Sequence, residues 1–186
     1  MTDRALEFGG FTRRYINRLG LWLFIISEAT IFAALLWMRF DLQGVHVPEH
    51  LNQTIGLVIT SLLLVSSLTA YRAEVSHASG DRQGLLRNTL LTLVLGGVFL
   101  LGVAFEWTEA FRAFPPDGGF GSVFFLMTGM HAFHVLTGLL MLLLLYGVAR
   151  DGNLPADHWG PEAVVKYWHF VDVVWVFFYP AIYLLS

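Results

Sequence analysis

Five stretches of this chain are each about as long as a helix must be to cross a bilayer, roughly 20 apolar residues for a 30 Å hydrocarbon core. They are Leu19 to Met38, interrupted by Glu28; Leu51 to Tyr71; Asn88 to Phe105; a span within the uncharged run Gly118 to Ala149; and Tyr167 to Leu185, which holds Asp172. None alternates residue by residue as a barrel strand would. Only 13% of the 186 residues are charged against 56% hydrophobic, too few to wet a globular surface of this size. The expected fold is therefore all-α, a single integral membrane domain over 1–186. It would have five helices, at about 19–39, 52–72, 87–107, 121–148 and 162–185.

The connecting segments carry the matching punctuation. Pro115-Pro116-Asp117-Gly118-Gly119 cannot continue a helix, and Gly152 to Pro155 breaks the chain again. Gly160-Pro161-Glu162 reads as a new helix start with proline in its first turn, ahead of the membrane, with Lys166 reaching back toward headgroups. Pro180 is expected to kink or loosen the outer end of the last helix. Met1 to Asn17 lacks the apolar core and cleavage site of a signal peptide and is expected to be retained. With the amino end inside, Arg4, Arg13, Arg14, Arg18, Arg72, Arg82, Arg87, Arg150 and Lys166 fall on the inner side and only Arg39 and Arg112 on the outer. That asymmetry places the N-terminus inside and the C-terminus outside.

Ionisable groups at bilayer depth are costly and usually turn toward other helices. Here they are Glu28, His131, His134, His169 and Asp172. At 1.5 Å per residue, Glu28 and Asp172 lie roughly 13 and 10 Å from the inner end of their helices, and His134 roughly 12 Å. Glu28, His134 and Asp172 would share one layer if the first, fourth and fifth helices are neighbours. His131 shares a face with His134, and His169 with Asp172. Three roles are open for this layer: a structural hydrogen-bond network, with Glu28 protonated; a polar site meeting lipid headgroups or exchanging protons with a partner; or a metal or haem site. The network is the reading adopted, because His-x-x-His on one helix does not oppose two imidazoles across a haem. The absence of cysteine removes disulfides and thiolate ligands, and a net charge of −3 gives no nucleic-acid footprint.

Thr60, Ser61, Ser66, Ser67 and Thr69, like Gly96 and Gly97, suit close helix approach. Trp22, Trp37, Trp107, Trp159 and Trp168 are placed near the membrane boundaries, where an aromatic belt is expected. Trp22, Trp168, Trp175, His158 and Glu162 are taken as lipid or interface contacts, although the depth of Trp175 also suits packing. Glu106 and Glu109, at the outer end of the third segment, are read as hydrated. His46, His50 and His77 are loop histidines with no compelling spacing.

Several patches, in order from residue 20 to the C-terminus, resemble cytochrome c oxidase subunit III. Tyr167-Trp168-His169-Phe170-Val171-Asp172-Val173-Val174-Trp175 looks like the signature of that family's last helix, and His158-Trp159-Gly160-Pro161-Glu162-Ala163 like the loop before it. Thr128-Gly129-Met130-His131-Ala132-Phe133-His134-Val135 with Gly138 resembles its Thr-Gly-x-His-Gly-x-His-Val-x-x-Gly stretch, with alanine at 132 as a departure. Ser27-Glu28-Ala29-Thr30-Ile31-Phe32 resembles a Ser-Glu-x-x-x-Phe helix, so that Glu28 matches the membrane glutamate that carbodiimides modify. The chain resembles the last five of the seven helices of longer members, as the short bacterial forms do.

The resemblance implies a non-catalytic subunit of a respiratory terminal oxidase. It would bind no haem or copper itself, those being held by partner subunits, and it would bind phospholipid. Subunit I would be its main partner, with subunit II and small subunits or a supercomplex beyond, in a bacterial inner membrane. It would stabilise subunit I and support proton uptake. A nitric oxide reductase accessory subunit or a quinol oxidase subunit III is the near alternative. A small membrane cytochrome with histidine-ligated haem is a distant one. A transporter is disfavoured, since there is no inverted repeat or pair of broken helices.

Overall fold

A computed structural model describes residues 11–44, 53–155 and 157–184. Its elements are five helices, α1 (Arg13–Gln43), α2 (Gln53–Ala78), α3 (Arg82–Ala113), α4 (Gly119–Arg150) and α5 (Gly160–Tyr179), the last continuing into a π-helical turn, Pro180–Leu184. Four of them, α1 to α4, are long and apolar enough to cross a membrane. At 26 to 32 residues they exceed what the hydrocarbon core requires, so their ends project into the headgroup region. α5 is shorter, at 20 residues, and carries Glu162, Lys166 and Asp172. His46 and His50 lie outside the described residues.

Local sequence accounts for the boundaries. Thr12 caps α1 by accepting from the Tyr15 N–H, and Asp81 caps α3 by accepting from the Gly84 N–H at 2.8 Å. The α2–α3 turn is tight because Gly80 adopts φ +75°. Pro161 stands in the first turn of α5, where a missing N–H costs nothing. At the other end Pro180 cannot donate into the α-helical ladder, and the chain widens there into the π turn rather than stopping.

Helices α2, α3, α4 and α5 pack in a ring, each against the next and α5 against α2, while α1 leans on the outside against α4 and α5. Side chains of α5 fill much of the space between them, Trp168, Val171 and Trp175 being buried together with Phe99 of α3 and Met127 and Val135 of α4. Polar side chains are turned inward, set within this apolar core, and the outward surface is apolar. Thr60, Ser66, Thr69, Thr89, Thr92, Thr128, His131, His134 and Asp172 are buried, whereas Trp37, Leu101 and Leu144 are at least 70% exposed. With lipid as the solvent, hydroxyl contacts and close packing, not apolar burial, hold helices together. The Thr69–Thr92 hydroxyl pair, 2.7 Å apart, is one such contact between α2 and α3.

Glycine makes the centre possible. The Trp168 indole lies between Gly96 of α3 and Gly138 of α4. A Cβ at Gly96 would fall 2.5 Å from its Cη2, and one at Gly138 2.8 Å from its Cε3. Its Nε1–H donates to Ser66 Oγ of α2 at 3.0 Å, so one side chain ties α5 to three helices. Trp168 is therefore no lipid contact, because it is fully buried, and the expectation of an interfacial residue is corrected. Trp175 takes the packing role its depth suited and not the lipid or interface contact: it is 1% exposed and donates to Thr60 Oγ1 at 2.9 Å.

Candidate functional site

One half of the polar interior is built where α1 meets α4 and α5. Glu28 and His134 come together across that contact, Glu28 Oε2 lying 3.1 Å from His134 Nε2. The other ring nitrogen, Nδ1, is 2.8 Å from the Met130 carbonyl oxygen. A carbonyl only accepts, so Nδ1 carries a proton. Nε2 then either accepts from a protonated Glu28 or donates to its carboxylate. Both forms are neutral as a pair, which is how two ionisable groups are tolerated at bilayer depth. Tyr167 of α5 closes the group from the third side, its hydroxyl donating to the His134 carbonyl at 3.3 Å. The Phe32 ring stands edge-on to the imidazole at 4.7 Å and edge-on to Phe178 of α5 at 5.6 Å.

His131, one turn away, has its ring stacked on Trp175 at 4.7 Å and edge-on to Phe99 at 5.7 Å. Neither of its nitrogens has a hydrogen-bond partner. His169 and Asp172 do not join the Glu28–His134 pair. They project from the face of α5 that meets α2, where His169 Nδ1 pairs with Ser67 Oγ at 2.7 Å. Asp172 is 3% exposed, with neither carboxylate oxygen hydrogen-bonded. The single layer of Glu28, His134 and Asp172 is thus split in two, although α1, α4 and α5 are neighbours as that layer required. The hydroxyls of Thr60, Ser66 and Ser67 on α2 each receive one polar group of α5.

Glu106 is a correction. It is buried, not hydrated, and its Oε2 accepts from the Tyr183 hydroxyl at 2.5 Å. The π turn sets Tyr183 there. Its ring lies against Gly56, and its carbonyl accepts from Gln53 Nε2 at 3.2 Å. Glu109, by contrast, is exposed. Trp22 is half exposed along α1, and the His158 ring is exposed in the α4–α5 connection. Glu162 bonds Arg18 of α1 at 2.8 Å and also Lys166, one turn on; these cations, Arg18 first, hold its carboxyl below the usual carboxylate range. Among the described residues no three His, Asp or Glu side chains converge as a metal site.

The family model for cytochrome c oxidase subunit III matches residues 10–186. Cytochrome c oxidase subunit 3 of Hippopotamus amphibius is 36% identical over 179 residues, covering 89% of this chain and 68% of its own length. That of the squid Heterololigo bleekeri is 36% identical over 196 residues, covering 97% and 75%. That of Loxodonta africana is 37% identical over 179 residues, covering 89% and 68%. The matched region holds all five helices and both halves of the polar interior. A membrane bundle with this interior, matched along nearly its whole length, belongs to the cytochrome c oxidase subunit III family, and so to the respiratory chain as one subunit of an oxidase complex.

Proposed function

We propose that the chain is the non-catalytic third subunit of a haem-copper terminal oxidase, packed on subunit I in a bacterial inner membrane, with subunit II and small subunits or a supercomplex beyond. It stabilises subunit I, supports proton uptake and contacts lipid. The whole chain acts as one domain. The observation that carries this reading is the neutral Glu28–His134 pair, which joins α1 to the ring and leaves no imidazole of the pair free to bind a redox centre. His169 is engaged by Ser67 and His131 is enclosed by aromatic rings, which supports the reading that haem and copper are held by partner subunits. α5 crosses the membrane as the fifth span, its His169 and Asp172 turned toward α2 and its Glu162 and Lys166 at the boundary. The nine-to-two split of basic residues puts the amino end inside. The bacterial setting rests on the resemblance to short bacterial forms, the relatives compared being animal proteins.

The test is recovery of a tagged copy in mild detergent, with mass spectrometry of what accompanies it and an optical spectrum of the preparation. A haem-bearing oxidase subunit I is the expected companion. A nitric oxide reductase core would move the chain to the nearest alternative. Recovery with no haem protein at all would overturn the reading.

A further inference from the structure

The other half of the polar interior, on the seam between α2 and α5, has the parts of a proton relay. Ser67 Oγ of α2 lies 2.7 Å from His169 Nδ1 of α5. Asp172, three residues on and so on the same face of α5, has the same Ser67 hydroxyl acting on its carboxyl. That carboxyl is 3% exposed, and neither oxygen makes a hydrogen bond of ordinary geometry. The serine therefore stands between a buried acid and an imidazole. His169 is half-buried, and its Nε2 has no hydrogen-bond partner among the described residues. One end of the trio is closed, and the other opens on the side of the bundle.

The open end leads to the rim where α5 begins. Lys166 precedes His169 by three residues and lies about 4.5 Å nearer that rim along the helix. Glu74 follows Ser67 by about two turns on the same face of α2, within electrostatic reach of Lys166, Glu162 and Arg18. Both Lys166 and Glu74 are half-buried. Charged side chains thus carry the polar line from His169 to the boundary, where Arg18 and Lys166 bind Glu162. The remaining sides of the trio are shut. α4 presents His131, stacked on Trp175 one turn beyond Asp172. α3 meets α5 with Gly96 and Phe99, and its buried Glu106 is taken by Tyr183. Glu28 of α1 is held by His134.

We propose that Asp172 is a proton-storing carboxyl, charged and discharged from that rim through His169 and Ser67. Before loading, His169 Nδ1–H donates to Ser67 Oγ, and the serine hydroxyl donates to the Asp172 carboxylate. A proton from water then joins His169 Nε2. Nδ1 passes its proton to Ser67 Oγ, and the serine's own proton moves to the carboxylate. One proton has entered and one has been stored, with histidine and serine neutral again. Afterwards the serine donates to Nδ1 and the new carboxyl O–H donates to Oγ; discharge is the reverse. A hydroxyl and a neutral imidazole suit this because each is donor and acceptor at once. The proposal rests on the proton-uptake role in the proposed function and gives it residues. Its readout is a vibration of one carboxyl, not partner recovery, so either can fail alone.

The experiment is infrared difference spectroscopy of the chain purified with its partners, during pH jumps and on transfer to deuterated water. The expected result is a protonated-carboxyl C=O band that appears as pH falls, is missing in Asp172→Asn, and shifts in deuterated water without unfolding. Asp172→Glu moves the band instead of deleting it, and identifies it where Asp172→Asn does not assemble. Ser67→Ala and His169→Phe keep the band but slow its appearance and its deuterium exchange at least about tenfold. Ser67→Thr, which keeps the hydroxyl, restores most of the rate. Recovery of partners with each variant controls for folding. No band from Asp172 at any pH, or one that is unchanged at every pH, overturns the storage site. A band that loads and exchanges as fast in Ser67→Ala as in the native complex overturns the relay.

Discussion

Replacing Gly96 by alanine sets a methyl carbon 2.5 Å from Trp168 Cη2 and 2.9 Å from Leu139 Cδ2. Ordinary carbon contacts lie at roughly 3.5–4.0 Å, so about 1 Å has to be found. The indole has little room to slide, because the Gly138 backbone backs it so closely that even a Cβ there would fall 2.8 Å from its Cε3, and Ser66 holds its Nε1–H at 3.0 Å. Overpacking of this kind costs about 1–3 kcal/mol, which is roughly 5- to 150-fold in the folded-to-unfolded ratio. The neighbouring Gly97 is the internal control. Nothing lies within 4 Å of its Cβ direction. Gly97→Ala should therefore be neutral, or stabilising by roughly 0.5–1 kcal/mol through helix propensity. The assay is SDS or thermal unfolding of the purified complex, followed by retention on size exclusion. Gly96→Ala should lower the midpoint and Gly97→Ala should not. Trp168→Phe added to Gly96→Ala should cost less than the sum of the two single changes. Equal loss in both glycine variants would refute the indole-sandwich reasoning.

Three further outcomes follow from the same geometry. Glu28→Gln should leave assembly largely intact, because an amide N–H can replace the carboxyl proton at His134 Nε2. Glu28→Leu should weaken recovery of the subunit in the complex, and an assembly defect in Glu28→Gln would refute a neutral pair. Tyr183→Phe leaves buried Glu106 with no partner on either oxygen and should cost about 1–3 kcal/mol in unfolding, with Glu106→Leu in the same chain recovering most of it. Because the Glu162 carboxyl is held low by Arg18 and then Lys166, its link to α1 should persist above the ordinary glutamate range. It should be lost only as pH falls through that lowered value, read as a distance between spin labels on the amino end of α1 and the start of α5. Loss of that link at neutral pH would contradict the assignment.

What could be read in advance follows the physics of each feature. Long uncharged runs announce helices whatever they pack against, and a glutamate or histidine inside such a run stands out as interior; Glu28 and His134 were legible for that reason. The direction His169 and Asp172 face was not, since it depends on how α5 is rotated against α2, and Ser67 is 102 residues away from His169. Trp168 follows the composition of an aromatic belt and departs from it only because two glycines on two other helices open a slot. Glu106 looked hydrated because the turn that brings Tyr183 to it depends on how Pro180 alters the end of α5. The expectation that Pro180 would loosen that end missed that the widened turn also positions a buried partner.

The claim on which these readings converge is that the chain lends polar interior contacts to an oxidase without holding a redox centre. Haem content measured by pyridine haemochromogen, first on the intact complex and then on the tagged chain after detergent separation from its partners, tests it directly. The account predicts haem in the first sample and none in the second, with the helical circular dichroism of the separated chain retained. Stoichiometric haem remaining on the separated chain, lost on replacement of His134, would contradict it.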